Sequence, residues 1–303
     1  IQSVCDQTLD PAEFEMIVVD NNSTDSTRSV VNTFCTDHPN LIYLFEAEPG
    51  SSLARNKGCR QARGKYIAFI DDDCKVPSDW LVKAKTMIEQ QAPGILGGPY
   101  YAFYTTPKPA WFQDRYGSYE PSDKAGPLAN PSILATGNLF VRRDLFLASG
   151  GFSADYGITA QTRVYGDETA MLWRLHTTNP GRLAYYAPAM FVYHWVQPRK
   201  LSLWWQLRDT FRHGRVYHSI YGAEDLPFTR QLLLLFPLYT LLVGLYTLVG
   251  SWLWRDRNRY PYWQNQLYES KRLTYCLRRM GMWSTYVQTL WPSPRPQRSR
   301  YAA

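Results

Sequence analysis

The chain has 303 residues, 45% of them hydrophobic and 19% charged. That is enough for one large α/β domain, or a domain with an appendage, and it excludes a disordered or collagen-like polymer. The net charge of +7 is uneven: residues 255–303 hold ten Lys/Arg against two acids, leaving the preceding 254 residues at −1. A neutral body argues against nucleic-acid binding, and a basic tail beside an apolar stretch points to an anionic membrane surface.

In chain order, residues 16–19 (MIVV) form a short β-type run, and residues 23–27 (STDST) supply capping chemistry for a helix through about His38. Residues 41–45 predict a second strand, 51–63 a helix ending at Gly64, and 65–70 (KYIAFI) a third strand. Pro77-Ser78-Asp79 opens a helix to about Gln91, and 95–98 is a fourth short strand. Strands alternating with helices predict an open, mostly parallel sheet, whose ligands collect at the carboxyl ends of the strands. Asp20 and Asp71-Asp72-Asp73 fall there.

Residues 99–131, rich in Pro, Tyr and Gly, yield no assignment; 132–142 read as extended, 166–178 as helical and 182–193 as one or two strands. Residues 200–221 interleave Trp204, Trp205, Leu207, Phe211 and Tyr217 with Arg208, Arg212 and Arg215, which suits an interface-seeking helix and, nearly as well, a core-packed one. Residues 231–254 are 24 uncharged residues between Arg230 and Arg255, long enough to cross a bilayer, with Tyr239, Tyr246, Trp252 and Trp254 as anchors. Pro237 and the two basic flanks keep a re-entrant or interfacial hairpin in play, with a buried helix as the third option. The N-terminus lacks the basic n-region of a signal peptide. Five cysteines, odd in number and without a C-x-x-C pair, argue against a disulfide scaffold or zinc ribbon and for a reducing compartment. The expected division is a catalytic domain over 1–222, membrane-associated helices over 223–290 and a disordered basic tail over 291–303.

Three adjacent carboxylates at Asp71, Asp72 and Asp73 repel one another and need solvent or a cation. Oxygen ligands suit Mg²⁺ or Mn²⁺, which bind one or two carboxylates together with substrate phosphates. A solvated acidic turn is the bland alternative; the buried strand before the run and the Pro-Ser-Asp-Trp cap after it favour function.

The segments IVVDNNSTDST, EPGSSLARNKGCRQARGKYIAFIDDDCKVPSDWL, ATGNLFVRRDLFLASGGF, YGDETAMLWRL and VYHW, in that order, resemble the motifs of the family 2 glycosyltransferases over roughly residues 1–215. The resemblance implies a GT-A fold, a Rossmann-like mostly parallel sheet with flanking helices, and an inverting transfer from a nucleotide-diphosphate sugar. It assigns Asp20 to the nucleobase or ribose, Arg55 and Asn56 to positions beside them, and Gly137 and Asn138 to a donor and acceptor loop. Asp71, with Asp72 next to it, falls on the ribose side, Asp73 on the metal, and His194 on the metal or diphosphate. Where the family carries Glu-Asp at the helix with the catalytic base, this chain has Asp167-Glu168. Register favours Glu168, residue type favours Asp167, and we take Glu168 as the better candidate. The family's usual first strand has no counterpart after Ile1, so a chain beginning there is expected to fold weakly and turn over little donor.

The implied reaction is a metal-assisted single displacement, with Mn²⁺ or Mg²⁺ easing the departure of the diphosphate and a carboxylate deprotonating the acceptor hydroxyl. The implied partners are a nucleotide-sugar donor, a saccharide or lipid-linked acceptor and a membrane surface. The expected location is the membrane, with the catalytic domain on the cytoplasmic side. Arg208 and Arg212 suit the diphosphate less well than lipid headgroups. A nucleotide-sugar nucleotidyltransferase and an inactive, membrane-tethered sugar-binding fragment are the alternatives. No G-x-G-x-x-G follows a strand, which disfavours a dinucleotide dehydrogenase.

Overall fold

Gly98 sits where several backbone segments converge: a Cβ there would meet the Met190 carbonyl oxygen, with Asn138 Nδ2 at 2.8 Å and the Ala187 oxygen at 2.9 Å. The sheets around it place the candidate residues. The computed structural model describes residues 1–153, 157–158, 163–164, 166–178, 184–221 and 230–290, with the side chains of 157–158, 163–164, 216–221, 230–236 and 285–290 left aside. The chain divides into two units, Ile1–Pro198 and Arg199–Ala303.

In the first unit, β1 (Met16–Asp20) pairs in parallel with β2 (Leu41–Phe45), with Asp20 opposite Phe45. After the short α1 (Gln2–Cys5) come α2 (Thr27–Asp37) and α3 (Ser51–Gln61). Gly58 allows α3 to lie close to β1, since a Cβ there would come 3.1 Å from Val19 Cγ2. A five-stranded sheet runs in the order β3 (Tyr66–Phe69), β8 (Leu139–Arg142), β5 (Ile95–Gly97), β11 (Ala184–Tyr186), β7 (Gly126–Leu128). Among the described residues β1 pairs with β2 alone and β3 with β8 alone. A third sheet joins β4 (Cys74–Lys75), β12 (Val192–Trp195) and β6 (Tyr100–Phe103); β9 (Gly157–Ile158) and β10 (Arg163–Val164) form a hairpin.

The sheet is mixed, which corrects the mostly parallel expectation. β8 runs antiparallel to both β3 and β5, and within the five strands only β5 and β11 are parallel. The Gly98 N–H donates to the Asn138 carbonyl, so the excursion through 98–138 returns beside the carboxyl end of β5 and must run back along it. The stretch 132–142 is likewise not extended throughout: 3₁₀ turns at Pro131–Ile133 and Thr136–Asn138 precede β8, the first capped by Asn130 Oδ1 accepting from the Ser132 N–H at 2.9 Å.

The sheet is covered on both sides. On one face Ile67, Phe69, Leu139 and Val141 pack with Phe146 of α5 (Arg143–Ala148) and with Met171, Leu172 and Leu175 of α6 (Asp167–Thr178). On the other, Leu96 and Phe140 meet Trp80, Leu81 and Ala84 of α4 (Trp80–Gln91). β8 is apolar throughout Leu139–Val141 because both its faces are buried.

The second unit holds α7 (Leu203–Tyr221), α8 (Arg230–Leu253), α9 (Trp263–Tyr268) and α10 (Lys271–Leu290). The division between the compact units falls before α7, at 198–199. α7 packs on α10, through a crossing at which a Cβ on Gly214 would strike the Arg278 backbone and one on Gly281 the Phe211 carbonyl. Residues 231–253 are helical without a break and carry Pro237 inside, which replaces the hairpin. Among the described residues no helix is long and apolar enough to cross a membrane. The tail 291–303 lies outside the described residues.

Gly98→Ala is expected to destabilise the protein by about 2–3 kcal/mol through overpacking against fixed backbone. Thermal or denaturant unfolding measures this.

Candidate active site

The three aspartates follow β3 directly, and the chain bends at once into β4. The Cys74 N–H donates to the Asp71 carbonyl at 3.0 Å, and β4 pairs antiparallel with β12 so that Cys74 faces His194. The Trp195 N–H donates to the Asp73 carbonyl at 2.8 Å. This register brings His194 Nε2 to 3.4 Å from Asp73 Oδ2, joining residues 121 positions apart. His194 Nδ1 is buried and has no hydrogen-bond partner among the described residues. The ring lies 5.3 Å from Tyr100, which stacks on Tyr119 at 5.6 Å.

The second acidic group opens α6. Gly166, at φ 96°, takes a left-handed turn that favours glycine, and Asp167 and Glu168 then occupy the first helical positions, where the helix dipole favours negative charge. Arg55 of α3 joins this group to the aspartate run. Its Nη2 donates to Asp71 Oδ1 at 2.8 Å and its Nη1 to Asp167 Oδ2 at 2.5 Å. Asp167 is 5% exposed and also accepts from Ser52 Oγ at 3.4 Å. The guanidinium lies 5.6 Å from the centroid of Phe152, which packs with Phe69 and Phe146 beneath the site.

The charges set the protonation pattern. Burial alone would lower the Arg55 pKa, but Asp71 and Asp167 outweigh it and hold the group above its usual value. Burial, and then Asp167 beside it, push the Glu168 carboxyl well above the ordinary carboxylate range, with Arg55 opposing. Burial, followed by Asp73 and Asp71, raises Asp72. The Tyr100 phenol is pushed up by burial and by Tyr119, Glu168, Cys74 and Asp71, which puts Tyr100 in the field of both acidic groups.

Other expected residues have different surroundings. Asn138 is 1% exposed: its Nδ2 donates to the Pro99 and Met190 carbonyls and its Oδ1 accepts from Trp80 Nε1 at 3.0 Å. These bonds pin three segments together through Asn138. Asn56 is committed in the same way, its amide exchanging hydrogen bonds of 2.8 and 2.9 Å with the Phe152 backbone. Gly137 lies beside the aspartate run, since a Cβ there would come 3.4 Å from Asp71 Oδ2 and from Cys74 Sγ. Asp20 is buried at the end of β1, accepting from the Ser23 N–H and the Tyr43 hydroxyl at 2.9 Å each. Burial would raise its pKa, but these bonds and Arg28 bring it below the usual range. Sequence reading passed over Ser52 and Tyr100. Ser52 stands one turn before Arg55 on the same helix face, a spacing that marks it; Tyr100 reaches the site through β6–β12 pairing, which leaves no local signal.

The sequence profile of glycosyl transferase family 2 matches residues 1–149, which include α3, the aspartate run and Gly137. Over that stretch the chain belongs to glycosyl transferase family 2. Glycosyltransferase AglE of Haloferax volcanii is 33% identical over 153 residues, covering 50% of this chain and 50% of that protein. Succinoglycan biosynthesis protein ExoM of Rhizobium meliloti is 26% identical over 215 residues, 70% of this chain and 67% of ExoM. The matched part thus spans half the length of the first relative and two thirds of the second. A mannosyltransferase of Pyrobaculum calidifontis, solved with GDP-Man and Mn²⁺, superposes with a TM-score of 0.60 over 96% of this chain and 81% of its own. At 18% identity it shares with this family 2 chain the GT-A-type α/β fold.

Arg55→Met leaves Asp167 buried and unpaired and is expected to cost about 3–5 kcal/mol. Asp167→Asn in the same protein restores part of it, and denaturant unfolding of the single and double variants reads both effects.

Proposed function

We propose that this family 2 chain transfers a sugar, with inversion, from a nucleotide-diphosphate donor to an acceptor hydroxyl in the assembly of a polysaccharide or glycolipid. The observation that carries the reading is Arg55, whose one guanidinium draws the aspartate run and the start of α6 together. The names of AglE and ExoM, a glycosyltransferase and a protein of succinoglycan biosynthesis, support the class of product.

Glu168 is the base in this reading. It is half-buried, and a raised pKa brings a carboxylate nearer the operating pH, where proton transfer is most effective. Asp167, bound to Arg55 and Ser52, is a positioning residue that also raises its neighbour. As the acceptor oxygen bonds to the anomeric carbon, its proton passes to Glu168, and the bond from that carbon to the diphosphate oxygen breaks with its electron pair leaving on the diphosphate. Asp71 and Gly137 bound the donor's side of the cleft, and the nucleotide end is directed toward Asp20.

Asp73 Oδ2 and His194 Nε2, 3.4 Å apart, are an oxygen and a nitrogen donor suited to Mn²⁺ or Mg²⁺. The buried, unpartnered His194 Nδ1 leaves its ring free of a competing protein bond there. Among the described residues no three His, Cys, Asp or Glu side chains form a closed cage. When bound, the ion supplies positive charge to the departing diphosphate.

Donor turnover over a panel of UDP-, GDP- and dTDP-sugars with Mn²⁺ tests the reading. Glu168→Gln is expected to lower kcat by about 10²–10⁴ with the donor still bound. Asp73→Ala is expected to abolish the response to Mn²⁺. Because the base must be ionised, kcat falls as pH drops through the Glu168 pKa, and the acidic limb is expected above about 4.3, the ordinary glutamate value. Unchanged turnover in Glu168→Gln contradicts the proposal.

A further inference from the structure

Within the Arg199–Ala303 unit, α8 has its polarity reversed. Its small and hydroxyl side chains face inward: Ser251 is 2% exposed, Thr240 is buried, and a Cβ on Gly244 would lie 3.9 Å from Leu273 Cδ1 of α10. Its large apolar side chains face out, with Leu241 68% and Trp252 69% exposed and Leu238, Leu242 and Leu245 more than half exposed. A helix bathed by water does the opposite, burying its apolar stripe and showing its polar one. A contiguous apolar face of this kind marks a site of interaction with another protein or with a membrane.

The aromatic end of the same helix meets a cavity of about 530 Å³, lined among others by Tyr246, Trp254, Tyr260, Arg259, Lys271 and Arg272. Three cations thus face a lining that contains one carboxylate, Glu269. No salt bridge engages Arg259, Lys271 or Arg272 among the described residues; Arg259 lies over the Tyr260 ring at 5.3 Å. Cations gathered beside Trp and Tyr at the edge of an apolar face match the phosphate layer of a bilayer, with the aromatics at headgroup level and the leucines among the acyl chains. The net charge of +8 over residues 255–303 has the matching sign. A second copy of the chain suits the face less well, since a two-fold interface would bring the two cationic cavities together.

We propose that this unit seats on an anionic lipid bilayer, with the outward face of α8 against the acyl chains and the Arg259–Lys271–Arg272 cavity holding the phosphate of an anionic phospholipid headgroup. The inference is independent of the transferase reading, because vesicle binding is measured with no sugar donor present.

The test is flotation of the full chain with vesicles of phosphatidylcholine alone and of phosphatidylcholine mixed with phosphatidylglycerol. The wild type is expected to float with the mixed vesicles, with an affinity that falls as salt rises. The triple variant Arg259→Ala, Lys271→Ala, Arg272→Ala is expected to bind them about a hundredfold more weakly, with an unchanged far-UV circular dichroism melt. Leu241→Asn with Leu245→Asn, both at exposed positions, is expected to lose binding without loss of fold and serves if the triple variant does not fold. Equal binding of wild type and triple variant overturns the proposal. So does a lipid-free dimer dissolved by the leucine substitutions, or inorganic phosphate stabilising the protein as strongly as phosphatidylglycerol vesicles do.

Discussion

One guanidinium joins the two acidic groups of the first unit. Asp71 and Asp167 are each bonded to Arg55, at 2.8 and 2.5 Å, and through it two chain segments some hundred residues apart are held together. Neither acidic group is stable alone: the aspartate run repels itself, and Asp167 is nearly inaccessible to water. Arg55 neutralises one carboxylate of each group and is itself supported by the face of Phe152. Because Arg55 is committed to Asp71 and Asp167, Glu168 keeps its raised pKa with only part of that charge opposing it. The electrostatic division of labour, one carboxylate fixed and its neighbour poised, is set by which of them the arginine reaches.

Much of the first unit is legible in the sequence, and what is not has a common cause. β1, β2, β3, α3, α4 and α6 are local events, marked by short apolar runs and by cap and turn residues. The sheet's mixed sense is not local: it depends on where the 98–138 excursion rejoins β5, which a single hydrogen bond from Gly98 to Asn138 records. The acidic residues stand out in the sequence because charge at the end of a buried strand is costly wherever it occurs. The amides of Asn56 and Asn138 are harder to read from sequence. An amide serves equally well for a ligand or for stray backbone groups, and only the fold reveals the Phe152 backbone against one and Pro99, Met190 and Trp80 around the other. His194 was found by motif, but its approach to Asp73 follows from the β4–β12 register.

The second unit follows a different logic. Its helices meet through close backbone contact at Gly214 and Gly281, where side chains would not fit, and α8 turns its leucines outward. Composition alone marked residues 231–254 as apolar but could not say whether they crossed a membrane, doubled back or were buried. The unbroken helix turns its large apolar side chains outward, while its inner face carries the glycine and hydroxyl side chains that close packing requires.

The most direct measurement of the central claim is a double-mutant cycle between Asp71→Asn and Asp167→Asn on unfolding free energy. The account links these residues through Arg55, so it predicts a coupling of about 0.5–3 kcal/mol. Strictly additive effects would contradict it, because the two carboxylates would then not share the arginine on which the site depends.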